Sequence, residues 1–259
     1  RDVGRDVGRD VGRDVGRDVG RDRWPAPDGG PLLRSELDRL YLGRHRLREH
    51  DGPLTAIAWR PDGRLVAAAG AQILVWDHRG ALRRSFPGHE GAVRSLRWSP
   101  DGDRLLVVGD DGQVRVLQVS GPAPQPPVLR GHSAPIIGLA WHPGGDIVAT
   151  AAADGSVRVW SLVPAASARL DHPGPVQAVA WRPAGAQLAT ACDDGQIRVF
   201  QRDGLTPPQV LAHASSVRAI AWSPDGERLA SGAGTSVRVW TRDGGMHELP
   251  VGGAVLAVT

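Results

Sequence analysis

Lysine and asparagine are absent from this sequence of 259 residues, and cysteine, methionine and tyrosine occur once each. The single Cys192 excludes an internal disulfide framework and a cysteine-cluster metal site. Without asparagine there is no acceptor for N-linked glycosylation. No apolar run approaches the roughly 20 residues that a membrane-spanning helix needs, so no membrane partner is expected. What the sequence does have is 34 Gly, 21 Pro and nine Trp. With every basic side chain an arginine, this bias favours GC-rich codons and points to a bacterial, cytoplasmic protein. Hydrophobic residues make up 41%, enough to build a packed core.

The 31 arginines face 28 acidic residues, for a formal net charge of +3. Arginine keeps its proton across the accessible range, so even this small surplus produces a very high isoelectric point. That value is no sign of nucleic acid. A nucleic-acid binder gathers its basic residues on one face, whereas here they are spread and most lie near an Asp or Glu. Nucleic acid is not an expected partner.

Residues 1–20 are five copies of Arg-Asp-Val-Gly, and Arg21-Asp22 begins a sixth. A period of four suits neither helix nor strand, and a glycine in every turn costs a helix about 1 kcal/mol each. Residues 1–30, closing with the Pro/Gly-rich stretch 24–30, are expected to be a disordered tail and linker. Residues 31–43 read as a short amphipathic helix. Leu33, Leu37, Leu40 and Tyr41 fall on one face and Arg34, Ser35, Asp38 and Arg39 on the other, with Pro31 at the start and Gly43 as the cap.

From residue 44 onward the chain repeats. Five segments share one pattern, ending in Trp59, Trp98, Trp141, Trp181 and Trp222, with spacings of 39, 43, 40 and 41 residues. Each runs into Pro-Asp-Gly or a variant, a tight turn in which proline presets φ and glycine accepts a positive φ. A strand of small residues follows, then Asp-Gly at Asp111-Gly112, Asp154-Gly155 and Asp194-Gly195, a strong hairpin signal. A third run closes the pattern at Trp76, Leu117, Trp160, Phe200 and Trp240, and a histidine precedes each unit at His50, His89, His132, His172 and His213. Each period therefore reads as a four-stranded antiparallel meander, with units at about 50–89, 89–131, 132–171, 172–212 and 213–250 and a partial sixth at 251–259.

This pattern resembles the WD-repeat β-propeller family, whose units open with Gly-His and close the third strand with Trp-Asp. Only Trp76-Asp77 keeps the literal pair, and only His89 and His132 keep the preceding glycine. The resemblance implies an all-β propeller of five complete four-stranded blades over residues 44–259, with partial strands at both ends, as expected of a piece of a larger, seven-bladed ring. Open blade edges in such a piece imply self-association.

The resemblance also implies a hydrogen-bonded chain in each blade, from Trp indole to hydroxyl to His to Asp. The third blade has all four, His132, Thr150, Asp154 and Trp160. The fourth has His172, Thr190 and Asp194 with Phe200 in place of Trp, and the fifth has His213, Ser231 and Trp240 without the Asp. The second keeps His89 and Asp111, and the first His50 and Trp76. Partners in this family dock on the rim where the first strand begins, which here carries Thr55, Arg94, Ile137, Gln177 and Arg218, and beside the turn before the third strand, with Asp110 and Asp193.

No catalytic, cofactor or metal site is expected. The histidines recur one per unit and do not converge on a metal, and no Gly-x-Ser-x-Gly elbow or phosphate-binding glycine loop occurs. The expected function is a non-catalytic scaffold for other proteins or peptides. The alternative is a regulatory propeller attached to a bacterial signalling NTPase or protein kinase.

Overall fold

A computed structural model describes residues 23–24, 33–36, 39–42, 45–47, 54–69, 72–121, 127–163, 165–202, 206–251, 253–255 and 258. Every regular element among them is a β-strand. The chain divides into two compact units, Arg1–Gly88 and His89–Thr259.

In the first unit, β1 (Arg23–Trp24), β2 (Leu33–Glu36), β3 (Arg39–Leu42) and β4 (His45–Leu47) form a four-stranded antiparallel sheet. This corrects the helix expected over 31–43. Thirteen residues with six large apolar side chains satisfy a helical stripe and a pair of short strands equally well, and an isolated helix of this length is marginal in water. The antiparallel register sets Leu33 opposite Leu42 and Glu36 opposite Arg39. Flanking strands complete the ladder, with Trp24 paired to Leu33 and Leu40 to Leu47. Trp24, expected in the linker, is thus part of a strand. The expected N-terminal partial strand at 44–49 contains the fourth strand of a complete sheet. The Arg-Asp-Val-Gly repeats and the rest of the linker lie outside the described residues.

The first blade follows, with β5 (Ala56–Trp59), β6 (Leu65–Ala69), β7 (Gln72–Asp77) and β8 (Leu82–Pro87). Asp77 of the literal Trp-Asp pair is buried and locks the β7–β8 turn. Its carboxylate accepts the backbone N–H groups of Arg79 and Ala81 at 2.9 and 3.0 Å and the Arg83 guanidinium at 2.5 and 2.8 Å.

Four blades make the second unit. They are β9 (Val93–Trp98), β10 (Arg104–Gly109), β11 (Val114–Gln118) and β12 (Val128–Leu129); β13 (Ile136–Trp141), β14 (Ile147–Ala152), β15 (Ser156–Leu162) and β16 (Ala165–Asp171). After these come β17 (Val176–Trp181), β18 (Gln187–Cys192), β19 (Gln196–Gln201) and β20 (Gln209–Ala212), then β21 (Val217–Trp222), β22 (Arg228–Ala233), β23 (Ser236–Thr241) and β24 (Met246–Pro250). Each is an antiparallel meander in chain order. The turn after each first strand closes identically: Gly102, Gly145, Gly185 and Gly226 take φ of 72–79° and donate back to Ser99, His142, Arg182 and Ser223 carbonyls at 2.7–2.8 Å. That conformation is why glycine ends the Pro-Asp-Gly turn.

The small residues of the second strands have a packing reason. Ala149, Ala151 and Val157 of the third blade meet Val176, Val179 and Trp181 of the fourth. Ala189 and Ala191 of the fourth meet Val217, Ile220 and Leu229 of the fifth. Small side chains let one sheet approach the branched residues of the next, and burying each Val, Leu or Ile contributes roughly 1.5–3 kcal/mol. Within the second unit, first-strand tryptophans reach the preceding blade. Trp141 Nε1 donates to the Arg97 carbonyl of the preceding blade at 3.1 Å, and Trp222 Nε1 to that of Ala180 at 3.3 Å. Beyond β24, Val255 donates its N–H to the Gly234 carbonyl at 2.8 Å. Its side chain occupies the space where a Cβ on Gly232 would collide.

Candidate functional site

The third blade brings its four polar residues together. Thr150 in β14 is fully buried, and its hydroxyl accepts the Trp160 indole N–H at 2.9 Å. His132 sets Nε2 2.8 Å from the same hydroxyl and Nδ1 3.2 Å from Asp154. The Nδ1–H therefore donates to the carboxylate, and Nε2 accepts the threonine proton. Asp154 also accepts the Ser133 and Ser156 N–H groups at 2.9 Å each and the Ser156 hydroxyl at 2.7 Å. Burial opposes its charge, but the Ser156 hydroxyl and these N–H groups hold the carboxyl down at about 2. Burial also lowers the His132 pKa, against the pull of Asp154, and so favours a neutral ring.

The fourth blade departs from this. His172 Nε2 lies 2.9 Å from Thr190 Oγ1, and Phe200 stands edge-on to the imidazole with no indole to offer. Asp194, expected to bind this histidine, instead accepts Arg198 Nη2 at 2.6 Å, while His172 Nδ1 faces the Leu170 carbonyl at 3.3 Å. In the fifth blade Ser231 accepts Trp240 Nε1 at 2.8 Å and lies 2.7 Å from His213 Nε2. With no Asp present, the serine hydroxyl donates to the Arg238 carbonyl at 3.2 Å. In the second blade His89 Nδ1 lies 2.9 Å from both Asp111 oxygens, and its buried Nε2 has no hydrogen-bond partner. Val107 and Leu117 occupy the hydroxyl and indole positions there. His50 lies outside the described residues, and Trp76 is buried in the first blade.

These groups hold blades together. A hydrolase would need a nucleophile facing substrate, yet the Thr150 hydroxyl is sealed and committed to two neighbours. Among the described residues no three His, Cys, Asp or Glu side chains are grouped to hold a metal. Cys192 is buried, with its thiol donating to the Gly174 carbonyl at 3.3 Å, and burial raises its pKa.

Reading the sequence missed one recurring partner, the arginine of each Val-Arg-Val third strand. Arg158 lies 5.7 Å from the Trp160 ring centre, and a Cβ on Gly131 would sit 2.6 Å from its Cζ. The glycine before His132 is therefore the space into which this guanidinium folds. Arg238 covers Trp240 at 6.0 Å and ties the Ala212 carbonyl to Glu248. The in-phase arginines were the available signal.

The rim residues of the second unit share one backbone feature. In each first strand the register skips one residue against its neighbour, and the skipped residues are Arg94, Ile137, Gln177 and Arg218. A bulge turns its extra side chain out of the regular ladder. Arg94 Nε donates to Asp110 at 2.6 Å, and Gln177 Nε2 to Asp193 at 2.9 Å, whose other oxygen takes the Ser216 hydroxyl. Ile137 has no such partner, because Ala153 stands where the others carry Asp. Arg218 is exposed, and the turn beside it is one residue shorter and lacks the acid. Thr55, in the first unit, is half-buried immediately ahead of β5.

Four-stranded blades in series, with buried polar chains and a rim of bulged side chains, define a repeat module of the propeller class. The family model for the WD domain, G-beta repeat, matches residues 44–77, 80–117, 125–161, 167–201 and 205–241, more than half of the chain. The chain belongs to the WD40 repeat family. Each match begins in the outer strand of one sheet and runs through the first three strands of the next, so every repeat links two sheets covalently. A search among curated proteins found no match. WD40 repeat domains generally serve as non-catalytic scaffolds for protein–protein interaction.

Proposed function

We propose that this chain is a non-catalytic scaffold that binds other proteins or peptides through the bulged rim of its blades, with Arg218 gripping a carboxylate on the partner. The observation that supports this is the contrast along the rim. Arg94 and Gln177 are each bound to the acid beside them, at 2.6 and 2.9 Å. Arg218 occupies the equivalent bulge, exposed and with no hydrogen bond or ion pair among the described residues. A guanidinium placed this way offers two parallel donors to one carboxylate.

Peptides selected from a random display library against the intact protein test the reading. Arg218-dependent binders enriched in Asp and Glu are expected, and Arg218→Glu should weaken them by at least about tenfold. Arg202→Glu, at an arginine away from the rim, should leave them unchanged. Selection of no binders, or of binders indifferent to Arg218→Glu, would refute it.

A further inference from the structure

Successive blades of the second unit are bolted together by side chains that cross to the first turn of the next blade. Arg104 Nη2 donates to the Gly145 carbonyl at 2.7 Å and lies 5.2 Å from the Trp141 ring centre. His142 accepts the Gly144 N–H on Nδ1, so Nε2 carries the proton and donates to the Gly185 carbonyl at 3.0 Å, with the ring edge-on to Trp181. Both bolts close onto a turn carbonyl.

The boundary between the fourth and fifth blades is built differently. Arg182 stacks over Trp222 at 5.6 Å, but its Nη2 reaches the Glu227 side chain at 3.0 Å, and Nη1 binds Gln187 at 3.0 Å. A groove of about 430 Å³ opens there, with Leu211, Trp222 and Trp240 among its apolar lining. That volume falls in the range of sites that hold small ligands and peptide side chains. Arg242, with its side chain 72% exposed, lies 3.7 Å from the same Glu227 oxygen. Among the described residues Glu227 is the only acid lining the groove, where the guanidinium groups of Arg182 and Arg242 share its carboxylate, so these side chains carry one positive charge in surplus.

We propose that this groove is a second docking site, for a peptide segment of a partner protein that sets a carboxylate against Arg242 and an apolar side chain against Trp222 and Leu211. Charge complementarity selects the acid, and the apolar lining selects its neighbour. The site is independent of the rim and does not involve Arg218.

Nitrogen-15-labelled protein is titrated with acetyl-Leu-Glu-Leu-amide and with its uncharged isostere acetyl-Leu-Gln-Leu-amide, following the indole N–H signals of Trp222 and Trp240. The Glu peptide should shift both signals, and the Gln peptide should bind at least about tenfold more weakly. Arg242→Gln, a change at an exposed side chain, should reduce the Glu peptide to the level of the Gln peptide, while Arg218→Glu leaves it unchanged. Signals unmoved at millimolar peptide, equal affinity for the two peptides, or full binding by Arg242→Gln would each overturn the proposal.

Discussion

Asp194 binds Arg198 at 2.6 Å and leaves His172 to the Leu170 carbonyl, although the equivalent Asp154 holds His132. The surroundings of the two acids differ. Ser133 gives Asp154 a backbone N–H at 2.9 Å, whereas Pro173 has none to give. The Asp194 carboxylate takes the arginine four residues on.

The fourth blade lacks a donor to its buried threonine, because Phe200 stands where Trp160 and Trp240 stand in the neighbouring blades. Phe200→Trp should place an indole N–H on Thr190 and raise the unfolding free energy by about 0.5–1.5 kcal/mol. Trp160→Phe should lower it by at least that much, since it removes the 2.9 Å bond to Thr150 and leaves a cavity. Chemical denaturation of both variants measures this, and destabilisation by Phe200→Trp would show that the fifth-blade geometry does not transfer.

His89 offers a converse case. Its buried Nε2 lacks a partner, and Val107 fills the position that Thr150 holds in the next blade. Val107→Thr should supply the hydroxyl and be neutral or stabilising by up to about 1 kcal/mol. Val108→Thr, one residue on and equally buried, has no acceptor waiting and should cost about 1–3 kcal/mol. Equal losses in the two variants would count against the assignment.

Acid should destabilise the protein in two stages. Burial lowers the pKa values of His89, His132, His172 and His213 from 6.5. Their neutral forms therefore add stability that is complete above 6.5 and lost as pH falls below it. Asp154 is held at about 2 against an ordinary 3.8. Its contribution of about 2 kcal/mol is complete above 3.8 and disappears as pH falls from there towards 2. Asp154→Asn should shrink the second stage in a plot of unfolding free energy against pH, the remainder coming from Asp77, Asp101, Asp111 and Asp194, whose pKa values are also lowered, and a plot left unchanged would falsify the linkage.

The bolt between the third and fourth blades is open to a direct test. A Cβ on Gly185, at φ of 72°, would collide with His142 Nε2 and displace it from the carbonyl it binds. A Cβ on Gly121, at φ of 79°, would meet none of the described residues within 4 Å, so its alanine variant carries mainly backbone strain, about 1 kcal/mol. Gly185→Ala should lower the thermal midpoint clearly more than Gly121→Ala.

Much of the architecture was legible because its signals are local. Alternation ending in Trp, the Pro-Asp-Gly turn and the Asp-Gly hairpin each act within a few residues, and together they located five blades. The helix expected over 31–43 failed because its thirteen residues suit both periods, and the choice went to the strands that pair with them. The bolts formed by Arg104, His142 and Arg182 left little trace, since each partner lies 41 to 45 residues away in the chain.

By itself the sequence determined the blades and their turns, because alternation and glycine at positive φ restrict the backbone wherever they occur. Only the tertiary structure decided that Leu33–Glu36 and Arg39–Leu42 are strands, that Asp194 goes to Arg198, that Arg218 has no partner among the described residues, and that a groove opens beside Arg242. Each of these is a competition among groups far apart in the chain, and its outcome depends on which donor, acceptor or empty space the folded neighbours present.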